Sequence, residues 1–192
     1  MNTNTESQQT FEHGGTRFMK LISGAGSAIL GVALVAAAIL ASPPRVNAAP
    51  TVSATDAAFI QAAAQDGMTE VKLGEMAAQK GTRADVKEFG KKMVKDHTAI
   101  NDDLRALSAQ KGLSLTDTLD AKHQGKFDKM AALSDAEFDD AYIAAMVKGH
   151  KGAVKEFKAE AASTQDSDIK SFLDKSLPVV EEHLKHITSM KK

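Results

Sequence analysis

The 192-residue chain contains no cysteine and no tryptophan, one tyrosine and four prolines. Without cysteine it has no disulfide, thiolate metal ligand, thiol nucleophile, covalent haem attachment or cysteine-borne lipid anchor. Three of the prolines are Pro43, Pro44 and Pro50, and only Pro178 lies beyond them, which leaves room for long helices. An excess of charge of one sign is also missing. The 24 Lys and Arg balance 25 Asp and Glu to a net charge of −1, which argues against a broad nucleic-acid-binding surface. There is no internal repeat, glycine-rich phosphate loop, nucleophile elbow or zinc-protease helix motif. Aromatics make up 5% of the chain against 43% apolar residues, many of them alanine, so a helix-rich domain packed through small side chains is expected.

The N-terminal segment reads as a targeting signal. Met19-Lys20 precedes an uncharged run from Leu21 to Ala41, whose strongly apolar part is Ala28–Ala41. That length suits the apolar region of a secretory signal peptide better than a membrane span. Pro43-Pro44 ends the run, and Val46 and Ala48 occupy the −3 and −1 positions of a cleavage site. Cleavage after Ala48 and a periplasmic or otherwise exported product are expected. The alternative is an uncleaved N-terminal anchor, because Leu21–Ala41 is long enough to span a bilayer. A signal peptide starting at Met19 would have conventional proportions, which makes Met19 an alternative start. Residues 1–48 are thus assigned to the signal, 49–55 to a linker and 56–192 to a folded domain.

Within that domain the patterning predicts four long helices. The first spans Asp56 to about Gln79, with Thr55 as N-cap and Gly81 beyond its end. The second spans Arg83 to about Lys111 and is stopped by Gly112. A third starts at the capping box Ser134–Glu137 and reaches Ala162. The fourth spans Asp168 to about Met190, with a kink expected at Pro178. Each carries one apolar stripe at helical spacing: Phe59, Ala63, Gly67, Leu73, Ala77; Val86, Phe89, Met93, Ile100, Leu104, Leu107; Phe138, Tyr142, Met146, Ala153, Phe157; and Ile169, Leu173, Val180, Leu184, Ile187. Short turns make two antiparallel hairpins. The connection Gly112–Leu133, with a weak helical piece over Leu119–Met130, is long enough to traverse a bundle roughly 36 Å long. Two hairpins joined by one long crossover form an all-α, ferritin-like four-helix bundle.

One polar side chain interrupts each stripe: Glu70, His97, His150 and His183. At about 1.5 Å rise per residue these four fall in a slab roughly 10 Å thick near mid-bundle. A carboxylate and three imidazoles converging there make a ligand set for a transition metal. Asp96 and Asn101 are placed to fix the His97 tautomer, and Tyr142 and Met146 to complete or flank the site. A metal-free Glu–His hydrogen-bond network satisfies the same residues. His186 lies at the edge of its stripe, and His123 in the crossover reads as a surface residue. Lys148, Lys151, Lys155 and Lys158 point away from Met146. They read as a solvated face, or as a contact for anionic lipid or cell-wall polymer in the envelope.

The ordered elements Phe59, Gly67-Met68-Thr69-Glu70, Val86-Lys87-Glu88-Phe89-Gly90, Met93, Asp96-His97, Asn101, Leu104, Phe138-Asp139, Tyr142, Met146, His150, Phe157, Leu177-Pro178 and His183-Leu184 resemble the exported bacterial family called domain of unknown function 4142. The resemblance runs from about Asp56 to His186. It implies a ferritin-like fold and carries over Glu70, Asp96, His97, Tyr142, Met146, His150 and His183. Members are often labelled outer membrane proteins, but this chain lacks alternating ten-residue strands, so a transmembrane barrel is not expected. Di-iron bundles use Glu-x-x-His pairs. Here Val94, Val147 and Val180 stand three residues before the histidines. One copper, zinc or nickel ion therefore suits the set better than bridged iron. The expected role is metal binding or a part in envelope stress, without turnover, since no nucleophile–base pair is evident. The alternative is an envelope interaction module with a purely structural Glu/His cluster.

Overall fold

The computed structural model describes residues 52–191, which form five helices and no strand. These are α1 (Ala54–Lys80), α2 (Ala84–Gln110), α3 (Ala121–Ala131), α4 (Asp135–Ser163) and α5 (Ser167–Ser189). The proposed signal segment and its cleavage site lie outside the described residues. No described helix is long and apolar enough to cross a membrane.

The helix ends follow from local chemistry. Ser53, rather than Thr55, caps α1: its Oγ accepts the Asp56 N–H at 3.0 Å. The end of α2 is a Schellman turn. The Leu113 N–H reaches the Ser108 carbonyl at 2.8 Å, and Gly112 takes the left-handed φ of 69° that this turn requires. The capping box of α4 is present, with the Glu137 carboxylate accepting the Ser134 N–H at 3.2 Å. The start of α2 is capped from another helix. Asp139 on α4, buried, accepts the Thr82 and Arg83 N–H groups at 3.1 and 2.8 Å. α5 runs unbroken through Pro178.

The long helices form two hairpins, α1–α2 and α4–α5, with further packing of α2 on α5 and of α1 on α4. In α1–α2 the backbones nearly touch. A Cβ on Gly90 would lie 2.6 Å from the Gly74 carbonyl, and one on Gly74 would lie 2.9 Å from the Gly90 carbonyl. The looser seam, α1–α4, has α3 laid beside it. α3 is tied down by Lys80, whose Nζ reaches the Ala131 carbonyl at 3.2 Å and also the Leu133 carbonyl.

His123 fastens the other end of α3. It is not a surface residue. It is 4% exposed, with Nδ1 2.8 Å from Asp120 and Nε2 2.9 Å from Asp66 on α1. The stripe of α1 is also rotated from expectation near its start. Ile60 and Ala64 are buried, whereas Phe59 and Ala63 are partly so.

The apolar core falls into two clusters. One is built around Phe89, Met93, Phe138, Tyr142, Met146 and Ile187, the other around Ile60, Leu104, Phe157, Leu173 and Val180. His97, His150 and His183 occur between members of the two clusters on α2, α4 and α5. A polar layer therefore separates two apolar ones.

Candidate metal centre

His97, His150 and His183 are at most 3% exposed. Their ring centroids form a triangle with sides of 5.8, 5.5 and 5.2 Å. One ligand nitrogen from each lies within 4.8 Å of those of the other two. Long helices held by close backbone packing and caps bring together residues 53 and 33 positions apart.

Each ring has one nitrogen against an acceptor. His97 Nδ1 lies 3.1 Å from Glu70 Oε2. His150 Nδ1 donates to the Met146 carbonyl at 2.9 Å and lies 3.6 Å from Glu70 Oε1. His183 Nε2 meets Asp96 Oδ2 at 2.9 Å. Asp96 is itself held by Lys92 at 2.9 Å, and Lys92 also reaches Glu182 at 3.2 Å.

These acceptors fix the tautomers. A carbonyl or carboxylate oxygen draws the ring proton toward itself, so the other nitrogen of each ring carries a lone pair. Those nitrogens are His97 Nε2, His150 Nε2 and His183 Nδ1, and all three are buried without a partner. Three lone pairs cannot hydrogen-bond to one another. Each unsatisfied buried group costs about 1–3 kcal/mol.

Protonation is a poor remedy. Burial pushes His183 down to about 4, outweighing its bond to Asp96. Burial also lowers His97, although Glu70 pulls the other way. Asp96 is held below the usual carboxylate range: burial would raise it, but the hydrogen bonds from Lys92 and His183 prevail. The Tyr142 phenol is pushed far up by burial and then by the charge of Glu70, so it stays neutral. Its hydroxyl is buried without a partner.

The residues singled out from sequence are therefore distributed unevenly. The three histidines converge. Glu70 stands behind His97 and His150, on the nitrogens opposite the unpartnered ones. Asp96 anchors His183 rather than His97. Asn101 packs its Oδ1 against Gly67, 2.0 Å from where a Cβ would sit, and makes no hydrogen bond there. Met146 contributes its carbonyl to His150. Lys148, Lys151, Lys155 and Lys158 are exposed, with Lys158 paired to Glu181 at 2.7 Å. Sequence reasoning missed the carboxyl pair Asp56–Glu160, which joins the start of α1 to the end of α4. Only the Glu160 position, three residues after the core residue Phe157, hinted at it.

No curated protein matches the chain. Among solved structures, the crystal structure of a DUF305 fragment from Deinococcus radiodurans superposes with a TM-score of 0.64. It covers 73% of this chain and 97% of that fragment, at 10% identity, and shows a shared fold alone. The profile of the domain of unknown function DUF4142 matches residues 41–190. The chain belongs to the DUF4142 family.

Proposed function

We propose that the domain binds one transition-metal ion through His97 Nε2, His150 Nε2 and His183 Nδ1. The observation that carries this reading is the group of three buried lone pairs with no donor among them. A cation satisfies all three at once. Glu70, the Met146 carbonyl and Asp96 would orient the rings and raise their basicity, as acceptors behind metal-bound imidazoles do.

Three imidazoles and no thiolate favour copper, zinc or nickel over the carboxylate-bridged iron of di-iron bundles. Three protein ligands leave a coordination position for water or another small ligand. A purely structural hydrogen-bond network is the weaker reading, because one nitrogen of each ring is left without a hydrogen-bond partner. The role we assign is metal holding in an exported protein of the envelope. The export reading rests on the apolar run Ala28–Ala41 and the cleavage pattern at Ala48.

One preparation tests both parts. The protein is expressed from its full chain, recovered from the periplasm without an affinity tag, sequenced at its N-terminus and titrated with copper, zinc, nickel and iron. The expected product begins at Ala49 and retains about one ion per chain. His97→Ala and His150→Ala should each lose the ion while keeping the helical circular dichroism spectrum. Retention of full stoichiometry in both variants would sink the three-histidine reading.

A further inference from the structure

The three imidazoles are sealed from solvent, yet two spaces run toward them. A cavity of about 30 Å³ touches His97 and Glu70 from within the bundle. A cleft of about 400 Å³ is lined by residues of α1, α3 and α4, with Glu70, Met146, Gly149 and Gly152 in its wall. Asp66, Glu70, Ala153 and Glu156 border both. The two spaces share these four residues, Glu70 among them, and His97 lines the smaller one.

We propose that this cleft is the route by which the metal cation reaches the centre, with Glu70 as its gate. The proposal rests on the three-histidine reading and specifies how that site is loaded. Four observations support it. First, α1–α4 is the least closely packed seam between neighbouring long helices, with α3 lying along it. Second, the Glu70 side chain keeps 13% of its surface exposed, while the rings behind it are closed off. Third, movement of Glu70 would cost His97 its 3.1 Å partner but would not orphan His150. The 3.6 Å contact would be lost, but the 2.9 Å bond from His150 to the Met146 carbonyl remains. Fourth, α4 presents glycine here. A Cβ on Gly152 would meet nothing within 4 Å, and one on Gly149 would first meet Glu70 Oε1 at 3.9 Å.

The opposite face offers a worse path. An open space of about 340 Å³ reaches Asp96 there, but Asp96 is locked between His183 and Lys92, and Lys92 is held in turn by Glu182. Lys122, Lys126 and Lys148 line the α1–α4 cleft together with Asp66, Glu70 and Glu156. Lys126 pairs with Asp66 at 3.2 Å on the α3 side.

The absence of native cysteine makes the test clean. Gly152→Cys places a single thiol in the cleft, and Ala99→Cys places one on the Asp96 face. Each folded metal-free variant is capped through a disulfide with either a methylthio group or a bulky bimane. Uptake of Co²⁺ is then followed by stopped-flow visible absorption. At position 152 the bimane should slow loading at least tenfold relative to methylthio, with the same final spectrum and stoichiometry. At position 99 the two caps should load within twofold of each other. Equal rates at 152, or slowing at 99 instead, would overturn the route and leave the metal site standing. Failure of the unsubstituted protein to take up Co²⁺, copper, zinc or nickel would overturn the metal reading beneath it.

Discussion

On the proposed metal reading, His150 is a side chain placed for a ligand at the expense of the metal-free fold. It is fully buried, its Nδ1 is satisfied within its own helix and its Nε2 has no partner. A buried lone pair without a donor destabilises the metal-free protein by about 1–3 kcal/mol. His150→Leu removes that lone pair at similar volume. We expect metal binding to vanish and the metal-free protein to gain about 1 kcal/mol in urea denaturation. A comparable loss instead would mark the cluster as a structural network. The convergence of the three histidines was legible because a lone polar residue on an apolar helical stripe stands out. Their anchors were less so. Which acceptor meets which ring depends on distances between helices, and Asp96 turned out to serve His183, 87 residues away. His123 was misread for the same reason: its partner Asp66 is on another helix, 57 residues back.

At the scale of the helix, the α1–α2 hairpin depends on two missing side chains. The Gly74–Gly90 crossing leaves a Cβ no room, and the nearest atom it would meet on either side is a backbone carbonyl oxygen. Gly90→Ala gains helix propensity of under about 1 kcal/mol but must push the hairpin apart. We expect a net loss of about 2 kcal/mol, read as a lower urea midpoint with an unchanged slope. No gain or loss would mean the helices separate without strain. All five helices were readable within a few residues, the four long ones because Ser, Asp and Gly mark their ends and bulky apolar residues mark their buried faces. α1 was the exception in facing. Its run Ala62-Ala63-Ala64 gives nearly equal weight to every direction, so tertiary packing chose Ile60 and Ala64 over Phe59 and Ala63. The crossover helix α3 was weakly signalled because it has few apolar residues of its own. Ties to Asp66 and from Lys80 help hold it.

For the molecule as a whole, two buried groups set opposing dependences on pH. His183 is lowered from 6.5 to about 4, so its stabilising contribution is present above pH 6.5 and fades as pH falls toward 4. Glu160 is raised from 4.5 to about 7 by burial and by its hydrogen bond to Asp56. Its contribution is present below pH 4.5 and fades as pH rises through 7. Between pH 4.5 and 6.5 the two oppose each other. Glu160→Gln should remove one side of this balance. In the metal-free variant, urea stability should climb with pH across that window more steeply than in the unsubstituted protein. Parallel profiles would show that Glu160 carries no excess proton.

The three-histidine layer has one more consequence, for the order of events in the life of the chain. Its donors come from positions 97, 150 and 183, on three different helices. If the layer holds a metal as proposed, the extended chain has no preformed chelate, and affinity would appear only once both hairpins have docked. A polypeptide threaded across a membrane unfolded would carry no cargo with it. What it acquires would be decided by the ions present where it folds, so the destination compartment, rather than the site of synthesis, would write the final composition of the protein.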